Sequence, residues 1–229
     1  MKPNPIYYTD QHFAFADSVR KFVQKELMPH INEWEEAETF PRELYQKAAD
    51  IGLLGLGFDE NYGGIAGTDA FHVLLSSIEL AKTGSGGLCA SLLSHSIGAP
   101  PINHFASAEI KQAVLTKILS GEKISALAIT EPTGGSDVAA LQTKAVRDGD
   151  DYIVTGEKTF ITSGIRADYY TVAVRTDPEA KGPNGISMLL IDAHSAGITK
   201  SKLDKMGWWA SDTAHLHFDN VRVPAKNLL

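Results

Sequence analysis

The 229-residue chain has a single cysteine, Cys89, so no internal disulfide can form, and a metal site built on cysteine is disfavoured with it. Cys89 is expected to be a small buried hydrophobe in a reducing compartment. No stretch approaches the ~18 consecutive apolar residues of a membrane span. Met1–Ile6 carries neither an apolar signal region nor an arginine-rich presequence, so a bacterial cytoplasmic location is expected ahead of a mitochondrial matrix one. Basic charge is in deficit, with 21 Lys and Arg against 28 Asp and Glu and a net charge of -7. The Lys and Arg residues are scattered, which argues against nucleic acid as the main partner. Internal repeats and low-complexity tracts are absent, as are the Walker G-x-x-x-x-G-K-[ST] and Rossmann G-x-G-x-x-G patterns. What is present is 43% hydrophobic residues, enough for one large core or two modest ones.

The apolar period changes once along the chain. From Thr9 to about Glu36, Phe13, Ala16, Val19, Phe22, Val23 and Leu27 recur at helical spacing, with Thr9 placed to cap and Pro29 placed to kink or stop. Further helices are predicted over 41–51, 68–82, 88–105 and 108–119. After Gly121 the pattern alternates, predicting strands near 124–129, 152–154, 169–175, 186–191 and 215–223, with a hairpin turn at 147–151. Helices followed by strands predict an α+β chain with segregated domains: an all-α helical domain over 1–122, then an antiparallel β-barrel or sandwich over 123–229.

Where the first strand ends lies Thr130-Glu131-Pro132-Thr133-Gly134-Gly135-Ser136-Asp137. Its glycines tolerate positive φ and let backbone approach a ligand, and its hydroxyls are donors. Alone, the segment admits two readings, a tight structural loop or a cofactor cradle. Lys158-Thr159-Phe160-Ile161-Thr162-Ser163-Gly164 offers an aromatic face beside hydroxyls, which suits a flat ring with a polar edge; taken alone, the segment reads first as a core phenylalanine with exposed threonines.

The two segments, in this order and at nearly this separation, resemble the flavin-binding segments of the acyl-CoA dehydrogenases. Gly52-Leu53-Leu54-Gly55-Leu56, Tyr62-Gly63-Gly64, Met206-Gly207-Trp208-Trp209-Ala210-Ser211-Asp212-Thr213 and Phe218 to Pro224 are similar to that family as well. The resemblance covers essentially the whole chain. It implies FAD held by Leu127, Ile129, Thr130, Gly135, Ser136, Phe160, Ile161 and Thr162. It also implies an acyl-CoA substrate near Ser136, Asn184, Ser94 and His95, dehydrogenation of that thioester to the trans-2-enoyl-CoA, an electron-transferring flavoprotein as acceptor, and a dimer or tetramer. Phe160 stands where many relatives have tryptophan, and Trp209 where they often carry a charged or small residue. In the family a glutamate of a C-terminal helical domain removes the α-proton; that domain is expected to lie beyond Leu229 in a longer gene product, and no catalytic base is assigned in this chain. The other readings are an acyl-CoA oxidase or flavin monooxygenase on the same scaffold, and a non-catalytic module.

Other residues carry less. Glu131, followed by proline in a turn, is expected to be a structural hydrogen-bond acceptor. Glu33-Trp34-Glu35-Glu36 reads as a solvated helix face. His215 and His217 share a strand face without a third ligand at recognisable spacing, and His12, His30, His72, His95, His104 and His194 are scattered, so no metal site is expected.

Overall fold

The structure, a computed structural model, describes residues 6–180 and 182–229. The Met1–Pro5 part of the N-terminal reading therefore lies outside the described residues. The chain forms two compact units. One consists of the chain up to Leu93 with Leu119–Glu122 and Lys205–Ser211; the other consists of Ser94–Ile118, Lys123–Asp204 and Asp212–Leu229.

The first unit is helical. α1 (Asp10–Phe22) buries Ala16, Val19 and Phe22 on one face and passes through a π turn (Val23–Leu27) and a 3-10 turn (Met28–His30) into α2 (Ile31–Glu36). Pro29 has no N–H to give, and the path is re-registered through these turns instead of ending. α3 (Glu43–Asp50) buries Leu44, Tyr45 and Ala48, and α4 (Ala70–Ala81) starts at Asp69, whose carboxylate accepts from Phe71 and His72 N–H. α5 (Gly86–Leu92) is capped by Ser85. Two expectations need correction. The helix predicted over 88–105 is broken twice: one helix ends at Leu92, a short one covers His95–Gly98, and Pro100 and Pro101, which cannot continue a helix, start a third. The Glu33 to Glu36 face is only partly solvated: Trp34 is buried, and Glu35 accepts from Ser85 Oγ and from Ala210 N–H at 3.1 Å.

The second unit contains α6 (His95–Gly98), α7 (Pro100–Phe105), α8 (Ala108–Ile110), a π turn (Lys111–Leu115) and all but the last residue of α9 (Thr116–Leu119) with a seven-stranded sheet. Its strands are β1 (Ser125–Ala128), β2 (Lys144–Asp148), β3 (Asp151–Thr162), β4 (Tyr169–Arg175), β5 (Ile186–Asp192), β6 (Ile198–Lys202) and β7 (Thr213–Pro224). The order is β1-β4-β2-β3-β7-β6 with β5 on the other side of β4. The sheet is mixed: most pairs are antiparallel, while β1 runs parallel to β4. β7 turns Ala214, Leu216, Phe218, Val221 and Val223 inward, and the extra residue at Asn220, with φ 50°, shifts the alternation by one place. Ser94 Oγ donates to Ser125 O at 3.0 Å and Thr171 Oγ1 to Gly98 O at 2.6 Å, which fastens α6 to the sheet. No helix among the described residues is long and apolar enough to cross a membrane.

Candidate functional site

The two motif segments meet edge to edge. Thr159 N–H donates to Thr130 O at 2.8 Å, so the strand carrying Phe160 runs beside the exit of β1. Leu127, Ile129 and Thr130 are half-buried along that edge, whereas Pro132 to Val138 are exposed throughout.

Phe160 is the unusual residue of the site. Between Lys158, opposite Leu216, and Ile161, opposite Ala214, β3 contains one residue more than β7. This bulge places Phe160 at φ 59°, in the left-handed region, with 69% of its surface exposed. Left-handed backbone costs an L-residue about 1–2 kcal/mol, and an exposed aromatic ring returns little burial energy to offset it. Strained non-glycine residues of this kind concentrate at ligand sites. Thr162 lies two residues on and is half-buried, whereas Ile161 faces the core, leaving only its backbone available to a ligand.

A buried charge pair fixes the loop from below. Lys158 is fully buried and donates to Glu131 Oε1 at 2.9 Å and to Ile129 O at 3.0 Å. Glu131 also accepts from Gln142 N–H at 2.7 Å and Thr143 N–H at 2.8 Å. Burial opposes ionisation of Glu131, but these hydrogen bonds outweigh it and hold its carboxyl below the usual glutamate range. Glu131 is thus the structural acceptor expected from its place before Pro132. The turn closes through Glu131 N–H to Gly134 O and Gly134 N–H to Glu131 O, both at 3.0 Å. Neither Gly134 nor Gly135 adopts positive φ, contrary to the expected use of these glycines. A Cβ on Gly134 would meet open space, and one on Gly135 would lie 3.0 Å from Thr130 Cγ2, so what these glycines contribute is clearance above the loop.

Arg175, at the end of β4, ties this loop to a second one. Its guanidinium donates to Ala139 O at 2.8 Å and Leu141 O at 3.2 Å, just beyond the glycine turn, and to Gly182 O at 3.4 Å. The exposed Asn184, in the 3-10 turn Gly182–Gly185, is thereby held near the loop exit. Ser94 and His95 are buried, and the Ser94 hydroxyl is committed to Ser125 O. The sequence pattern gave no roles to Lys158 and Arg175; the available signal was Arg175 ending an otherwise apolar strand, whereas β3 is too mixed for Lys158 to stand out.

The residues present fit a flat, phosphate-bearing cofactor. Phe160 offers a presented ring, Leu127 and Ile129 an apolar edge, and Thr130, Ser136 and Thr162 hydroxyls, with no Cβ above Gly134.

Comparison with known proteins agrees across the chain. The family model for the acyl-CoA dehydrogenase N-terminal domain matches residues 9–122, and that for the middle domain matches residues 126–221. The chain is 41% identical over 224 residues to the mitochondrial long-chain specific acyl-CoA dehydrogenase of Sus scrofa, covering 97% of this chain and 52% of that protein. It therefore spans about half the length of the curated relatives it matches. Among solved structures, an acyl-CoA dehydrogenase from Geobacillus kaustophilus superposes with a TM-score of 0.91 at 44% identity, covering 97% of this chain and 59% of that one. A glutaryl-CoA dehydrogenase from Mycobacterium smegmatis in complex with FADH2 gives 0.88 at 33% identity, covering 96% and 55%. With both domain models matched in order over nearly its whole length, the chain belongs to the acyl-CoA dehydrogenase family.

Proposed function

We propose that this chain forms the N-terminal and middle domains, 1–122 and 123–229, of an FAD-dependent acyl-CoA dehydrogenase that converts a saturated acyl-CoA to its trans-2-enoyl-CoA. One observation carries the reading beyond family membership: Phe160 is held in a strained bulge, ring outward, beside a loop fixed from beneath by Glu131 and Lys158. Bound FAD supplies the hydride acceptor. Phe160 would offer its ring to the flavin, Thr162 and Thr130 would supply hydroxyl donors, and Leu127 and Ile129 would exclude water. Gly135 and Ser136 would let the backbone approach the cofactor, Ser136 also lying toward the thioester arm and Asn184 toward the CoA.

Glu131 is not the base that removes the substrate's α-proton: three donors saturate it beneath the loop. That base belongs to the C-terminal helical domain of the family. Electron-transferring flavoprotein is the electron acceptor, the assembly is a dimer or tetramer, and the location is cytoplasmic.

FAD titration of the purified chain, followed by flavin absorbance, tests the site. Saturable binding is expected, weakened roughly two- to tenfold in Phe160→Ala by the loss of an aromatic contact worth about 0.5–1.5 kcal/mol. Equal affinity in Phe160→Ala would remove the ring from the site. The family's full-length form is expected to bleach on anaerobic addition of an acyl-CoA. Rapid peroxide formation by the reduced enzyme would assign it as an oxidase instead.

A further inference from the structure

The first turns of α1 and α4 bring together three residues that the sequence leaves scattered. His12 Nε2 lies 3.0 Å and His72 Nδ1 2.9 Å from the same oxygen, Asp69 Oδ1, and the two imidazole centroids are 4.2 Å apart. Both histidines are buried and Asp69 is half exposed. Among the described residues this is the one group of three His, Cys, Asp or Glu side chains with ligand atoms all within 4.8 Å of one another.

Without an ion, Asp69 Oδ1 is the helix cap, accepting from Phe71 N–H at 3.0 Å and His72 N–H at 3.2 Å. His72 Nδ1 lies 2.9 Å from that oxygen and 3.2 Å from Asp69 N, so its tautomer decides whether it donates to the carboxylate or presents a lone pair. A cation between the nitrogen and the carboxylate takes the lone-pair form, with the exposed Asp69 N–H turned to water. The opposite ring fits the same solution: His12 Nδ1 lies 3.0 Å from Thr9 Oγ1, which can accept its proton once Nε2 is metal-bound, the outer hydrogen bond that metal-ligating histidines usually make. Thr9 N–H, now bonded to that nitrogen at 2.8 Å, belongs to an exposed residue and can turn to water.

We propose that His12, Asp69 and His72 form a binding site for a divalent transition-metal ion of the zinc class. Two imidazole nitrogens and one carboxylate oxygen are its protein ligands, and water takes the fourth position through the exposed side of Asp69. Tetrahedral zinc with ligands near 2.0–2.1 Å needs ligand-to-ligand edges of about 3.3 Å, so the present contacts open by a few tenths of an ångström. The rings of Tyr8, Phe15 and Phe71, at centroid distances of 5.9–6.1 Å from the imidazoles, form a weakly polar shell around these nitrogen donors. Both helix N-termini oppose a cation, and the Asp69 carboxylate offsets them. The bound ion would clamp the start of α1 to the start of α4.

The test is calorimetric titration of the untagged, chelator-treated full chain with ZnCl2, with CoCl2 absorption as a probe of geometry. The expected result is one ion per chain and an intense tetrahedral cobalt band. The His12→Asn/His72→Asn double variant is expected to lose the site, and a His215→Asn/His217→Asn double variant to keep it. Asp69→Asn keeps an oxygen acceptor at the helix cap and hence the fold, and is expected to weaken binding at least about tenfold. No saturable binding, or binding that survives Asp69→Asn and the double histidine variant, would overturn the assignment.

Discussion

Two loops of this chain carry family motifs, and they are held in opposite ways. The Thr130 to Leu141 loop is fixed at its ends, by Glu131 and Lys158 at one and Arg175 at the other, and its middle stands in solvent. The Lys205 to Ser211 loop is held through its middle. Lys205 Nζ donates to Trp208 O and Ser211 O, Trp209 Nε1 donates to Lys205 O at 2.8 Å, and Trp208, at φ 57°, covers Gly86 and Gly87. Such internal bonds make a brace that spends its polar groups on itself. End fixation leaves groups free to receive a ligand, and this difference supports the proposal that the first loop is the binding element. For Trp209, the indole bond to Lys205 gives the residue a loop-bracing role.

Breaking the end fixation is expected to have the largest effect. Lys158→Met leaves the buried Glu131 carboxylate without its cation and should cost about 3–5 kcal/mol in denaturant unfolding, with new protease cleavage between 130 and 143. A loss below 1 kcal/mol would mean that the pair does not hold the loop. In the brace, Gly86→Ala places a Cβ 2.5 Å from Trp208 Cε2 and should cost about 1–3 kcal/mol, with FAD affinity unchanged. Weaker FAD binding in that variant would blur the division between the loops.

Acid should sharpen it further. The folded-state pKa of Glu131 is depressed, so its contribution is fully present above the unfolded value near 4.3 and is lost as pH falls through the folded value below it. Flavin release on acidification should therefore begin below about pH 4.3, and Glu131→Gln should remove that part of the pH dependence. An identical acid profile in the variant would separate Glu131 from loop closure.

Much of this was legible in the sequence, for physical reasons that can be named. The change from helical to alternating period marks the strands whose faces are sided, such as β7, while Phe160 between hydroxyls leaves two readings open and only the family resemblance singles it out. β6 was missed because Ile-Thr-Lys-Ser-Lys is a largely polar edge strand with little alternation to read. The parallel pairing of β1 with β4 was missed because strand direction is decided by distant partners. The left-handed Phe160 follows from one residue of mismatch against β7, and the Lys158 and Arg175 contacts reach 27 and 36 residues back along the chain. His12 and Asp69 are 57 residues apart, and nothing in their spacing announces that two helix starts converge.

The central claim is that Phe160 is held strained and exposed for a ligand. The most direct measurement is Phe160→Gly, comparing ligand-free unfolding with FAD affinity. Relief of the left-handed strain and the greater chain entropy of glycine nearly cancel, so stability should change by less than about 1 kcal/mol while FAD affinity falls. A stability loss of about 3–5 kcal/mol, as for a core phenylalanine, with FAD affinity unchanged, would contradict the account.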